Sequence, residues 1–576
     1  MATEIGVFVA WPYANGDLHL GHIAGAYLPA DIFARYHRLR GNSVLMGSGS
    51  DAHGTPITLK AKDENAAPID IVRRYHRRFL ESFQALGITF DLFSHTHTPN
   101  HIATTQDFFR TLRGKGDLTI ATQKQFYDEA AHMFLPDRYV GGTCPLCSYQ
   151  RARGDQCENC GKTFGATELI NPISLISNTV PALKDTDHYF FELGNYSAKL
   201  LQYIADKDYW RTHVQNFTRS MIDEGLRGRP ITRDIDWGVP VPEPGWESKV
   251  IYVWFDAVIG YFSVSKEWAV HSGDAEAWKR WWKNPRARSY YFIGKDNIPF
   301  HSVIWPIELM AYDAELNLPY DVPANQFLNI SGEKLSTSRG LAVWLLDMLK
   351  EYDADAVRYY VTSILPETKD SNFYWDEFVT RNNGELVAAW GNLVNRVFGF
   401  AYPRYGAKVP EPQELDGRDR DLLSKIEAAF PVVAQAYETV RLRDALRDSM
   451  ALAREVNRYL DEKAPWTVFK RDPAQAGTAI FVAMRAIDSL KILLAPVLPH
   501  TCEKINQMLG TEEPLFGTQC IIERPENGEV SEVLIYQPAV SEKAGIDRFK
   551  PSELAPGKPF AKPAPLFKVL ELEAKP

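Results

Sequence analysis

Two apolar patterns alternate along this chain, and the change from one to the other divides it. Up to about residue 330, short continuous apolar runs end in glycine-rich or polar turns: Ile5 to Ala10, Ser43 to Met46, the opening of KVIYVWFDAVIGYFS at 249–263, SYYFIGKDN at 289–297 and NQFLNI from Asn325. Runs of this length read as buried strands, and Ile23, Tyr27, Ala30 and Ala34 recur at helical spacing from Gly21 onward. The first part is therefore α/β. From about 340, apolar residues recur three and four apart. Leu386, Ala389, Leu393, Val394 and Val397 share one side of a helix, segments 419–461 and 475–495 continue the pattern, and Val433, Tyr437, Val440 and Leu446 fall together in the first of these. Amphipathic helices in series predict a bundle.

A chain of 576 residues exceeds what one core supports, since single cores rarely grow beyond roughly 250–300 residues. With 45% hydrophobic and 24% charged residues, 14 tryptophans and 30 phenylalanines, it folds with much aromatic burial. The formal charge of −9 provides no overall basic field, so any nucleic-acid contact must rest on a local patch. No stretch has the length and apolarity of a membrane span, and no signal peptide is read at the N-terminus, which places the protein in the cytosol.

Four of the six cysteines form C-x2-C-x9-C-x2-C at Cys144, Cys147, Cys157 and Cys160, within a stretch of short runs and glycines at 117–239 that reads as an insertion. Two such pairs close a tetrahedral thiolate shell around zinc, and four thiolates leave no position for substrate, so the metal is structural, one per chain.

The remaining chemistry clusters at the ends of the strand-like runs. His19 and His22 lie just beyond the first run, near the start of a helix whose unpaired N–H groups favour an anion such as a triphosphate. Asp51 ends the second run inside GSGSDAHG, where Gly47, Gly49 and Gly54 allow a tight approach to a ligand. Arg73, Arg74, Arg77 and Arg78 read mainly as a solvated helix face. Trp254, Ala257 and Tyr261 share one face if their segment is helical, Arg233 and Trp237 stand nearby in ITRDIDWGVPVP, and Trp237 reads as structural. Lys295 and Asp296 follow Gly294 at a sheet edge, where lysine neutralises phosphate and aspartate takes ribose hydroxyls. Lys334, Ser336 and Ser338 lie in a polar loop, NISGEKLSTSR.

The HLGH of AWPYANGDLHLGH resembles the first motif of class I aminoacyl-tRNA synthetases in its methionyl form, and KLSTS resembles the second. RYVGGTCPLC and ENCGKTFGATELINP are similar to the zinc knuckle of methionyl-tRNA synthetases, in the same place in the order. The resemblance covers nearly the whole chain. It implies a Rossmann-like parallel-sheet catalytic domain with a zinc-containing insertion, followed by a helical anticodon-binding domain. It further implies ATP-dependent activation of L-methionine and transfer to initiator and elongator methionine tRNA, with Mg²⁺ accompanying ATP. His19, His22, Lys334, Ser336 and Lys295 would serve catalysis, and Asp296 would join His19, His22 and Lys334 around ATP. Tyr13, Asp51, Trp254, Ala257, Tyr261, Phe300 and His301 would hold methionine, while Asn392, Arg396 and Trp466 would read the anticodon. The implied domains are 1–116 and 240–325 for the two catalytic halves, 117–239 for the insertion and 326–385 for the lysine loop and linker. Segment 386–530 would be the anticodon domain, with a tail at 531–576.

The chain departs from the family pattern twice: Thr337 stands where a second loop lysine is usual, and Val258 where a proline often stands. Lys295 is then the residue to compensate at the pyrophosphate. The proline-, alanine- and lysine-rich tail has a linker's composition, although Leu566, Phe567, Val569 and Leu570 argue for docking on the body. With no added dimerisation domain, a monomer is expected. A sister synthetase, a non-catalytic tRNA-binding descendant and a generic nucleotidyltransferase are the alternatives.

Overall fold

The computed structural model describes residues 3–136, 139–154, 157, 159–160, 162, 164–330, 333–334, 342–526 and 529–571. Its centre is a sheet in the order Ala324–Asn325, Arg288–Gly294, Glu4–Val9, Ser43–Ser50, Leu92–His95, Glu529–Gln537, Thr518–Glu526. The first five strands are parallel, with Gly6 level with Ser289 on one side and Leu45 on the other. Because the central strand Glu4–Val9 is covered on both faces, its apolar run is nearly continuous. Parallel strands send their C-terminal ends to one edge, and Trp11, Asp51, Lys295 and the residues after Asn325 emerge there together.

The last two strands are antiparallel. Leu534 and Ile535 pair with Phe93 and Leu92, so the C-terminal hairpin covers what would be an open edge of the parallel sheet. This corrects two expectations. A boundary between 530 and 531 falls inside Glu529–Gln537, and the start of the tail is a strand rather than a linker. Farther on, Leu566, Phe567 and Leu570 do pack on the bundle, fixed by hydrogen bonds between Asn383 and the backbone of Leu570, whereas Val569 is exposed.

The first crossover helix, Leu28–Leu39, is buried along its whole length, Asp31, Arg35 and Arg38 included. A π-helical turn, Ile23–Tyr27, leads into it. Charges in such a place require partners. Asp31 Oδ2 accepts from Arg35 Nε (2.9 Å) and Arg358 Nη2 (2.7 Å), and Oδ1 accepts from the amide and hydroxyl of Thr89 (2.9 and 2.7 Å). Arg358 also donates to the carbonyls of Val497 and Pro496, so one buried guanidinium fastens the sheet to the bundle. These donors outweigh burial and hold the Asp31 carboxyl down to about 2.

The insertion contributes an antiparallel sheet built on Leu118–Asp128 and Ala182–Phe191, with three short strands around the cysteines. In the bundle, Val440 takes a left-handed φ of 51° and divides the segment at 419–461 into Gly417–Glu438 and Leu442–Lys463. The single apolar stripe expected through Leu446 is therefore two stripes on two helices. Among the described residues no helix is long and apolar enough to cross a membrane.

Because the Asp31 carboxyl is depressed when folded, its stabilisation is complete above the unfolded value near 3.8 and is lost as pH falls through about 2. Asp31→Asn leaves Arg358 buried without a counter-charge; its unfolding free energy at pH 7, from urea titration, is expected to fall by about 3–5 kcal/mol. The variant's acid transition should also lack the wild-type dependence between pH 4 and 2.

Candidate active site

His19 caps the short helix Leu20–His22. Its Nδ1 accepts from the amide of Gly21 (3.1 Å), and His22 Nδ1 accepts from the amide of His19 (3.3 Å), with the two rings stacked at 3.8 Å. Both neutral rings therefore carry their proton on Nε2. Burial lowers His19 to about 4 and His22 well below the usual range, and the His19 ring lowers His22 further. The amides expected to be free at this helix start are occupied, Gly21 N by the His19 ring and Leu20 N by the Val343 carbonyl, so the donors in question are the two imidazole N–H groups. The segment after the lysine loop lies alongside: Leu20 N donates to Val343 O (3.1 Å), Leu345 N donates to Leu18 O (3.0 Å), and the Trp344 and His19 rings are 6.2 Å apart. Lys334 lies in a two-residue strand whose backbone pairs with Asn329, while Ser336, Thr337 and Ser338 lie outside the described residues.

The glycines of GSGSDAHG make room for the protein's own side chains rather than for a ligand. A Cβ on Gly49 would lie 2.1 Å from the Trp11 ring, and one on Gly47 would lie 3.0 Å from Val264. Gly54, at φ 87°, sits against Val253. Asp51 is fastened through its backbone to the opening motif, with Asp51 N donating to Pro12 O (2.8 Å) and Ala14 N to Asp51 O (3.0 Å).

Trp254, Ala257 and Tyr261 lie on the helix Val253–His271. Trp254 stacks on Phe300 (4.2 Å, 13°) and meets Tyr13 edge-on (6.1 Å, 88°). His301 Nδ1 donates to Asn297 O (2.9 Å), so its Nε2 accepts from the Tyr261 hydroxyl (2.6 Å). Burial keeps this pair neutral, lowering His301 to about 4 and raising Tyr261. The result is an aromatic wall with one oriented hydroxyl. Val258 is buried in core on the same helix.

Lys295 is committed to Asp370 (2.8 Å) and lies over the Phe327 ring, a partner that its expected phosphate role did not include. Asp296 is exposed, and its carboxylate occupies the space a Cβ on Gly294 would need (2.7 Å). Of the arginine group, Arg78 pairs with Asp17, Arg74 with Glu64, and Arg77 with Glu81 and Glu532. In the bundle, Asn392 and Arg396 share an exposed helix face, and the Arg396 guanidinium lies 4.7 Å over Trp466, which follows a left-handed Ala464. These three stand apart from the sheet edge that carries the other site residues.

The four cysteine Sγ atoms all lie within 4.8 Å of one another, with Cys147 and Cys157 at 3.6 Å. A tetrahedral thiolate site with Zn–S near 2.3 Å needs sulfur atoms about 3.8 Å apart, so this donor set fits a closed metal site. Leu146 N donates to Cys144 Sγ and Asn159 Nδ2 to Cys147 Sγ, as thiolate ligands require.

Sequence reasoning missed a buried polar group behind the aromatic wall. Asp256 Oδ2 meets His53 Nδ1 (2.8 Å), His53 Nε2 meets His97 Nδ1 (3.0 Å), and the His97 ring stacks on Trp237 (4.5 Å, 23°). Trp237 in turn donates to the Ala52 carbonyl (2.7 Å), so the tryptophan read as structural also braces the site. Burial raises both Asp51 and Asp256, with the charge of Asp256 raising Asp51 further, and lowers His53 to about 3. The available signal was Asp256 itself, an isolated acid in the apolar run VWFDAVIG.

Comparison with known proteins agrees with this arrangement. The family model "tRNA synthetases class I (M)" matches residues 5–398, and "Anticodon binding domain of methionyl tRNA ligase" matches 409–523. Methionine--tRNA ligase of Thermomicrobium roseum is 58% identical over 571 residues, covering 99% of this chain and 97% of that one. The ligase of Roseiflexus sp. is 49% identical, again over 99% and 97%. Methionyl-tRNA synthetase of Mycobacterium tuberculosis, solved in complex with methionyl-adenylate, superposes with a TM-score of 0.77 at 25% identity, covering 98% of this chain and 99% of that one. With paired histidines beside the lysine-loop flank, an aromatic wall beside Asp51 and a helical domain beyond, the chain belongs to the class I methionyl-tRNA synthetases.

Proposed function

We propose that the chain activates L-methionine with ATP, forming methionyl-adenylate and pyrophosphate, and then transfers methionine to the 3′ end of initiator and elongator methionine tRNA. The observation that supports this reading is the backbone pairing of Leu18–Leu20 with Val343–Leu345, which holds the first nucleotide motif against the flank of the second. The Nε2–H groups of His19 and His22 donate to the phosphates as the methionine carboxylate attacks the α-phosphorus, and Lys334 and Ser336 act from the loop. The Mg²⁺ carried with ATP supplies further charge neutralisation. Asp296 takes the ribose hydroxyls. Lys295 compensates for Thr337 by exchanging Asp370 for pyrophosphate oxygen, a role supported by its half-buried place on the same edge.

Asp51 receives the substrate ammonium, and Tyr13, Trp254, Ala257, Phe300 and the Tyr261–His301 pair enclose the thioether, where polarisable rings suit sulfur. Asn392, Arg396 and Trp466 receive anticodon bases, because an indole under a guanidinium offers stacking with edge donors. The four cysteines hold one structural zinc. Residues 1–116 and 240–325 supply the catalytic halves and 117–239 the insertion. Segment 326–385 links to an anticodon domain that begins at 386 and gives way to the hairpin Thr518–Gln537 on the catalytic sheet, and the segment beyond the hairpin packs back on the body. The chain is read as a monomer of the cytosol, where cysteines that form no disulfide are at home.

Exchange of labelled pyrophosphate into ATP across a panel of amino acids tests the assignment; exchange with methionine alone is expected, and exchange with none would overturn it. His22→Asn removes one preorganised donor, and its exchange rate is expected to fall about 100-fold or more with little change in KM for methionine. Metal analysis should find one zinc per chain, and Cys147→Ser should retain none after dialysis against chelator. For Lys295, an alanine variant with wild-type adenylation would remove the compensation role, and Thr337→Lys should lessen the effect of losing Lys295.

A further inference from the structure

The hydrogen-bonded line Asp256–His53–His97 has no part in the reaction described above. It starts at a fully buried carboxyl and ends on a half-buried ring. Its geometry permits two states. With Asp256 protonated, its O–H donates to His53 Nδ1, His53 Nε2–H donates to His97 Nδ1, and His97 carries its proton on Nε2. With Asp256 ionised, every donor reverses: His97 Nδ1–H donates to His53 Nε2, and His53 Nδ1–H donates to the carboxylate. Both imidazoles are neutral in both states, as burial of His53 requires.

We propose that Asp256, His53 and His97 form a proton outlet for the buried acid pair Asp51–Asp256, through which one proton leaves when the substrate ammonium seats beside Asp51. This rests on the assignment of Asp51 to the substrate amino group. In the step, the Asp256 proton moves to His53 Nδ1, the His53 Nε2 proton moves to His97 Nδ1, and the His97 Nε2 proton passes to water. One O–H bond and two N–H bonds break while two N–H bonds and one O–H bond form, and the net change is a carboxylate inside and a hydronium outside.

The driving force is electrostatic. The titratable groups facing the line are Asp51, Glu308, His95, His101 and Tyr261. Neither carboxyl oxygen of Glu308 has a hydrogen-bond partner, and its buried carboxyl is raised by burial and by the charge of Asp256, so it stays neutral. Burial also keeps His53 and His101 neutral. Arg229 lines the same cavity as Trp254, Phe300 and Glu308, and an arriving ammonium adds a further positive charge beside the acid pair, which favours its ionisation.

The test is calorimetric titration of the intact enzyme with L-methionine near pH 7 in buffers of different ionisation heat. Wild type is expected to release roughly one proton per methionine bound, whereas the analogue lacking the α-amino group releases none. Asp256→Asn, nearly isosteric, should bind methionine without release. His97→Gln should release the same amount but seat methionine roughly tenfold more slowly in stopped-flow tryptophan fluorescence, with imidazole restoring the rate. Methionine heat that does not depend on buffer overturns the proton release, and unchanged release in Asp256→Asn overturns Asp256 as its source. Wild-type seating rates in His97→Gln overturn the outlet. Absence of methionine binding by the wild type overturns the methionine site itself and this proposal with it.

Discussion

A carboxylate removed from water persists only where several donors converge on it, and Asp31 has four: two guanidinium groups, an amide and a hydroxyl. The geometry of everything else follows from where those donors come from. Arg35 lies one turn along the same helix, Thr89 precedes the strand Leu92–His95, and Arg358 arrives from beyond the lysine loop while holding carbonyls of the bundle. Satisfying one charge therefore fixes the crossover helix against the sheet and the sheet against the bundle. Leu20 N donates to Val343 O and Leu345 N to Leu18 O, so the first nucleotide motif and the segment that follows the lysine loop are held together on this same body.

The same desolvation that makes Asp31 costly shapes the chemistry at the sheet edge. His19, His22, His53 and His301 are all held neutral by burial, and each has a ring nitrogen engaged by a fixed partner. They act as oriented donors and acceptors rather than as cations. For charge stabilisation in a dry site, such preorganised dipoles avoid the cost of burying a net charge.

What was legible in the sequence was local. HLGH after an apolar run, the cysteine spacing and the helical register of Trp254, Ala257 and Tyr261 all depend on residues close in the chain, and each appears in the structure where the pattern put it. The glycines at 47, 49 and 54 were legible as close approaches, but their neighbours, Trp11, Val264 and Val253, come from other segments. The place of the hairpin Thr518–Gln537 was not legible, because its pairing with Leu92 and Phe93 crosses more than 400 positions. The Asp256–His53–His97 line was hidden for a similar reason, its three members being contributed by distant turns and a helix.

The position of that hairpin also bears on how the molecule is made. The five parallel strands are all synthesised by Asn325, but the strand that covers Leu92–His95 emerges only at Glu529. For some 200 residues of vectorial synthesis the nascent sheet presents an open edge carrying Leu92 and Phe93. A chain stopped short of residue 537 would keep the nucleotide motifs and lack the cover on their sheet. Self-association through that edge is the failure to which the order of the chain exposes it.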